Sequence, residues 1–445
     1  MKMLKNNIFF KIGIIAFIAL LLLIPTGMIK NLIREREATQ REAIREVSSK
    51  WAGEQTLSGP FVTIPYYKYV KRYSEKDSVN KIVKVRDYLH FLPSQLNING
   101  EIVPETRHRG IYEIVVYNSE LKISGSFNNI NLSGLDIPLK DIQFDRASIS
   151  LGISDLRGVE NQIVLNWNQD QNLFNPGTIS RDIIEKGINA PISVSENDSL
   201  VYDFTMKLDL KGSQKLYFIP VGKVTDITIK SDWNNPSFNG AFLPDTSIVD
   251  NSGFRANWNI LHLNRNFPQQ WIGINRNIGS AAFGINLLLP VDSYQKSTRS
   301  IKYAILFIAF TFMVFFFVEV LNKVFIHPVQ YILVGLALVV FYTLLLSISE
   351  YLMFNWAFVV SAIATLLLII GYIKAILKSN MVTFLIGSIL TILYTFIFVI
   401  IQLQDYALLI GSIGIFLILA LLMYFSRKID WYNINMDDEK SLDKS

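Results

Sequence analysis

Cysteine is absent from this chain of 445 residues. Its absence excludes structural disulfides, thiolate nucleophiles, Cys-ligated zinc or iron–sulfur centres and a lipid-modified cysteine. Histidine is scarce: His90, His108, His262 and His327 are the only four, with no H-E-x-x-H array and no pair spaced for a shared metal. His90 in "YLHFLP" and His262 in "ILHLN" sit in strand-like runs and read as packing residues. Neither a G-x-S-x-G elbow nor a G-x-x-x-x-G-K-[ST] loop occurs, which disfavours a serine hydrolase of the usual kind and a nucleotide-driven pump. Basic residues number 42 against 37 acidic ones, a formal charge of +5, yet no Lys/Arg block is dense enough for nucleic acid. The expectation is no catalytic residue, no cofactor and no metal.

What the chain has is apolar length. Hydrophobic residues make up 51% of it and concentrate at the N-terminus and in the last third. The first run, Ile8–Ile29, is about as long as a bilayer core is thick and lacks a small-residue cleavage site, so it reads as an uncleaved anchor with Lys11 snorkelling to the interface. Five more follow at Tyr303–Val320, Tyr331–Ile348, Trp356–Tyr372, Val382–Ile401 and Ala407–Tyr424. Six spans put both termini on one side. Lys2, Lys5, Lys323, Lys374, Lys378, Arg427 and Lys428 share that side, while the opposite turns carry Glu350 and Asp405 without Lys or Arg. By the positive-inside rule the termini are cytoplasmic. Lys30, Arg34 and Arg36 break the pattern, but they open a very long segment in which charge weighs less. Tyr303, Tyr331, Tyr351, Trp356, Tyr406 and Tyr424 lie near span ends, as an interfacial aromatic belt requires.

The fold class expected is therefore an α-helical polytopic membrane protein with six predicted transmembrane helices and a large, mainly β domain inserted between helices 1 and 2. The divisions are 1–29 (tail and first span), 30–56 (juxtamembrane helix and linker), 57–300 (β-rich domain), 301–426 (five spans) and 427–445 (tail). "NLIREREATQREAIREVSSKW" is rich in helix formers and in acid–base pairs spaced three or four apart, predicting a helix to about Val47. It is either a connecting helix or a partner surface. "YDFTMKLDL" alternates Tyr202, Phe204, Met206, Leu208 and Leu210 with polar residues, a strand with one buried face, and "KGSQK" follows as a turn. "NKIVKVRDYLHFLP", "IYEIVVY", "LKISGSF", "LYFIPVG" and "VTDITIKSDW" read as further strands of a sandwich or of two lobes, with a split near Ala190 as one option. The N-x-S/T sequons at Asn131 and Asn197 are common by chance and assign nothing.

Carboxylates in spans often mark ion paths. Glu319 sits near the inner end of the second span, four residues before Lys323, and Glu350 and Asp405 sit at the outward turns. Interfacial placement is the plainest reading. An ion pair or partner contact and transport chemistry are the alternatives. No carboxylate lies at mid-depth, and beyond Pro25 and Pro328 nothing marks a broken helix, so the polar midplane site of a transporter is not expected.

Several stretches resemble the CreD family of bacterial inner-membrane proteins: "LLLIPTGMI" (Leu21–Ile29), "LSGPFVTIP" (Leu57–Pro65), "SDWNNPSFNGAFLP" (Ser231–Pro244), Pro290–Glu319 and His327–Glu350. The similarity runs from the first span to "KIDWY". It implies a multi-pass inner-membrane location with residues about 30–300 periplasmic, and a role in envelope integrity and in responses to β-lactams and colicins. It supplies no catalyst, so none is assigned to Trp233, Pro236, Phe238, Gly240 or Pro244. There Pro236 and Gly240 suit turns around a segment that buries Trp233 and Phe238, either a packed corner or a binding lip. The leading expectation is a non-enzymatic envelope protein that works in the bilayer with a protein partner. A transporter or flippase-like module is one alternative, and a periplasmic enzyme on lipid or cell-wall substrates, using acids such as Asp232 and Asp245, is another.

Overall fold

A computed structural model describes residues 8–74, 79–128, 130, 137–195, 200–273, 276–289, 293–322, 324–377, 379–403 and 406–427. Asn131, Asn197, Lys323, Asp405 and the "KIDWY" stretch fall outside them. The chain divides into two compact units, residues 1–40 with 291–445, and residues 41–290.

The first unit is helical. Helix α1 (Ile8–Leu21) and helix α2 (Leu23–Trp51) are separated at Leu22. The reason is local: Pro25 has no N–H for the carbonyl of Leu21, so one rung of the ladder is missing. Helix α2 then continues past the predicted end at Val47 to Trp51. After the β unit come α3 (Ser293–Lys302), α4 (Ala304–Asn322), α5 (Pro328–Ser349), α6 (Phe354–Leu377), α7 (Asn380–Gln402) and α8 (Ala407–Ser426). Among the described residues six helical stretches are long and apolar enough to cross a membrane, matching the expected spans. His327 caps α5, its ring accepting from the Val329 N–H at 3.3 Å, with Pro328 in the first turn where its missing N–H costs nothing. Gly335 of α5 meets Leu22 so closely that a Cβ there would lie 2.2 Å from Leu22 Cδ1. A larger residue there would have to push the Leu22 and Phe312 side chains aside. Helix α8 packs on α7, where Gly414 makes room for the ring of Phe396, and leaves Leu408, Phe416 and Met423 facing outward, as lipid contact requires.

Helix α3 was not expected from the sequence. Its buried residues Tyr294, Ser297, Ser300 and Ile301 recur at helical spacing opposite polar residues, an amphipathic pattern of the sequence that the expected β domain to residue 300 passed over.

The second unit is a sandwich of one nine-stranded and one eight-stranded sheet around a continuous core fed by both. The strand Val201–Ser213 alternates buried and exposed residues as "YDFTMKLDL" predicts, and it pairs with the long strand Tyr112–Asn128. "IYEIVVY" and "LKISGSF" belong to that one strand, because the ladder continues across Asn118–Glu120. The turn read in "KGSQK" tightens to Gln214 at φ 61°, where the chain leaves the eight-stranded sheet and enters the other as Lys215–Ile219. No lobe boundary falls at Ala190, which pairs with Ile149 inside the nine-stranded sheet.

Candidate functional site

Two clusters in the helical unit hold hydrogen-bonded charged residues. At one, Glu319 of α4 is buried, and so is Lys11 of α1. Lys11 Nζ donates to Glu319 Oε1 and, at 2.9 Å, to the carbonyl of Ile326. The remaining capacity of the carboxylate is filled by the Ile326 N–H at 3.2 Å and the Tyr331 hydroxyl at 3.1 Å, and the ammonium lies 4.2 Å from the Phe325 ring centre. Lys11 therefore does not snorkel, and Glu319 is not a free interfacial acid. Each is the other's counter-ion, as a charge in hydrocarbon demands. Tyr331 likewise leaves the predicted aromatic belt and is fully buried, while Tyr351, Trp356 and Tyr406 stay exposed.

At the other node Glu350 caps α5, accepts from the Tyr294 hydroxyl at 3.2 Å and pairs with Arg36 Nε at 3.6 Å. All three belong to the helical unit. Beside it Lys296 donates to Gln402 at 3.3 Å and Gln402 to Asn355.

Between these nodes the helices bury hydroxyls. Thr311 of α4, Tyr342 of α5, Ser361 of α6 and Tyr394 of α7 are each at most 3% exposed. The ring of Tyr394 meets Phe307 at 4.4 Å and Phe341 at 5.0 Å, with Phe358 at 6.4 Å. Ser, Thr and Tyr are unremarkable inside apolar runs, so the sequence does not single these residues out.

In the β unit, His90 is fully buried beside Trp271, at 5.6 Å between ring centres. Its Nε2 faces Asp182 Oδ2 at 3.2 Å and its Nδ1 faces Thr63 Oγ1 at 3.1 Å. With Asp182 ionised, Nε2 carries the hydrogen and Nδ1 accepts from Thr63. Burial lowers the imidazole pKa, and Asp182 opposes it. The line Thr63–His90–Asp182 has the order of a nucleophile relay, but Thr63 is 1% exposed, so no substrate reaches its hydroxyl. The packing role expected of His90 is observed. His262 departs from that expectation: it opens a half-exposed 3-10 turn after the strand Gly253–Leu261, and His108 is exposed on the strand Gln95–Arg109.

The segment Pro236–Gly240 is a strand at the edge of the nine-stranded sheet rather than a turn-flanked corner. Proline is tolerated there as the first residue of an edge strand. Phe238 packs edge-on against Phe254 and Trp258, both at 5.8 Å, and the Trp233 indole N–H points to the carbonyls of Asn235 and Leu288. Gly240 has φ +105°, and a Cβ there would lie 2.4 Å from the Ala282 carbonyl oxygen. Asp232 is exposed beyond the strand Val224–Ser231. Asp245 Oδ2 instead accepts the Asn259 N–H at 2.6 Å. Ser231 pairs with Phe254, so the two acids sit near opposite ends of the strand Gly253–Leu261, about 16 Å apart by strand rise. They do not form a carboxylate pair. A shallow groove of about 460 Å³ is lined by Asp145, Asp170, Asn168, Trp167 and Tyr202, the last two stacked at 5.3 Å and buried. Among the described residues no group of three His, Asp or Glu is placed to hold a metal.

A buried ion pair within a bundle of apolar helices, joined to a sandwich inserted after the first span, defines a multi-spanning membrane protein with a large β unit. Residues 7–432 match the family described as inner membrane protein CreD. Inner membrane protein CreD of Escherichia coli (strain K12) is 32% identical over 442 residues, covering 99% of this chain and 97% of that protein. The chain belongs to the CreD family, as the sequence resemblance implied. Among solved structures, an M1 zinc metallopeptidase from Deinococcus radiodurans aligns with 38% of the chain and 38% of its own length at 8% identity, but the TM-score of 0.19 carries no structural argument.

Proposed function

We propose that this chain is a non-enzymatic inner-membrane protein that supports envelope integrity under β-lactam or colicin-type stress, with cytoplasmic termini and a periplasmic β unit that binds a protein partner. One observation carries the partner-binding part. The strand Thr246–Asp250 ends the eight-stranded sheet with every residue exposed, Ile248 at 65% and Val249 at 47%, and Leu243 just before it at 71%. Natural sheets defend such edges with charges, proline, bulges or short strands, and "TSIVD" carries only its shortness and Asp250 at its far end, with no lysine, proline or bulge beside Ile248. So lightly defended an edge suits strand addition by an extended segment of another protein. The separation of Asp232 from Asp245 and the seclusion of Thr63 support a role without catalysis.

The test places a photo-crosslinking residue at Ile248, or at the exposed Asn99, which is paired on both sides with Thr228 and Lys122, in intact membranes under β-lactam stress. A protein adduct at Ile248 and none at Asn99 is expected. Capture of lipid or cell-wall precursor alone would overturn the proposal in favour of transport or enzymology. Ile248→Lys should abolish the adduct and reduce stress tolerance at unchanged protein level.

A further inference from the structure

The four buried hydroxyls of the bundle share a depth. From the Glu350-side end of each helix, Thr311 lies seven residues into α4, Tyr342 seven into α5, Ser361 seven into α6 and Tyr394 eight into α7. At 1.5 Å per residue each stands about 10–12 Å in, roughly a third of the way through a hydrocarbon core. Among the described residues the Thr311, Tyr342 and Ser361 oxygens have no hydrogen-bond partner, and the Tyr394 hydroxyl has at most the Thr365 side chain. Tyr394 has Thr365 and Tyr342 as polar neighbours, so at least part of the layer is contiguous. Other helical hydroxyls, such as Thr383, Thr391 and Thr395, take the local solution and donate to the carbonyl four residues back. The layer hydroxyls do not.

The two ends of the bundle differ in the same respect. Toward the Lys11 side, Glu319, Tyr331 and Ile326 satisfy one another, and Phe312 and Phe315 pack on Tyr331 at 5.5 and 6.1 Å. Toward the Glu350 side, α3 packs on α5 and α7 and buries two more unpartnered hydroxyls, Ser297 and Ser300. An unpartnered hydroxyl in an apolar interior is costly, so these buried groups need partners. Water is the partner of the right size, since it bonds several such groups at once and is found where polar groups converge.

We propose that the bundle holds an internal water cluster on the Thr311, Tyr342, Ser361 and Tyr394 hydroxyls, continued by Ser297 and Ser300 toward the Glu350 side and closed toward Lys11 by the Glu319 node. The ligand is water, and the site is a blind, hydroxyl-lined inlet reaching a third of the way into the membrane. It is independent of the partner edge at Ile248 and survives if that reading fails.

Radiolytic hydroxyl-radical labelling of the full-length protein in nanodiscs tests it, because radicals formed from a bound water oxidise the side chains beside it. Tyr117 of the β unit is the internal standard: it is fully buried, with its hydroxyl donating to the Lys215 carbonyl at 2.7 Å. Tyr342 and Tyr394 should label several-fold faster than Tyr117, and Tyr331 no faster. Equal rates at Tyr342, Tyr394 and Tyr117 would overturn the cluster, and labelling of Tyr331 as fast as Tyr394 would overturn its closure toward Lys11. A second measurement is the melting temperature of Thr311→Val and Ser361→Ala. Both should fall if the hydroxyls hold water, and a rise in both would show a dry layer and overturn the proposal.

Discussion

Each unit buries a cation, and the two solutions differ. Lys11, among the helices, is 6% exposed and meets a carboxylate; Arg265, in the β unit, is 9% exposed and among its hydrogen bonds meets none. Its guanidinium donates to the carbonyls of Phe267 at 2.6 Å and Val221 at 2.9 Å and to the Gln269 amide oxygen, and lies 4.0 Å from the Phe267 ring centre. Burial alone pulls its pKa down to about 10, leaving it charged at neutral pH. The difference reflects which acceptors each architecture has to spare. A helix uses nearly all its carbonyls internally, so a cation among helices needs an imported carboxylate. Loops between strands leave carbonyls free, and several neutral dipoles suffice. Even Lys11 borrows one carbonyl, that of Ile326, from the break between α4 and α5.

The comparison breaks most readily at Glu319. Glu319→Ala leaves Lys11 buried without its counter-ion and should cost about 3–5 kcal/mol. Lys11→Met with Glu319→Gln removes both charges and should recover most of that loss. Thermal unfolding in detergent reads the difference, and equal losses in the single and double variants would mean that the ion pair contributes nothing specific.

Arg265→Met should cost less, about 2–3 kcal/mol, because it removes charge-assisted bonds to neutral acceptors and leaves no opposite charge stranded. Urea unfolding followed by tryptophan emission measures it. A loss matching that of Glu319→Ala would erase the distinction between the two burials. Gly240→Ala should cost about 1–2 kcal/mol through backbone strain, and it should loosen Pro236–Gly240 without disturbing the helices. Hydrogen exchange at that strand's amides tests the locality.

The smallest effects are those of pH, and they belong to the β unit. His90 has a folded pKa below its ordinary value of 6.5, so the unfolded chain binds the proton more readily. Stability from this group is complete above 6.5 and is lost as pH falls through that value toward the folded one. His90→Gln should flatten the stability profile as pH falls below 6.5. The Asp155 carboxyl, held down to about 2 chiefly by Arg157 and also by the Gly53 and Arg157 N–H groups, behaves in the same sense further down. Its contribution is present above 3.8 and disappears as pH falls toward 2. An unfolding series across both windows separates them.

Much of this architecture was legible in the residues. The apolar runs are as long as a bilayer is thick, so the spans follow from length alone, and the alternation from Tyr202 to Leu210 forces a half-buried strand wherever it lies. His327–Pro328 announces the start of α5 because proline's missing N–H is harmless only there. These are local properties, set by neighbours a few positions away.

What only the tertiary structure decided is which distant groups meet. Lys11 and Glu319 are 308 positions apart, and nothing near either names the other. From the sequence Glu319 reads as an interfacial acid four residues before Lys323, yet a buried charge takes whichever counter-ion packing brings to it. Likewise no single helix reveals the layer of Thr311, Tyr342, Ser361 and Tyr394, since each supplies one hydroxyl. A sequence specifies each helix's length and faces through local periodicity. The depth at which four faces converge depends on packing among helices, and that exists only once they are assembled.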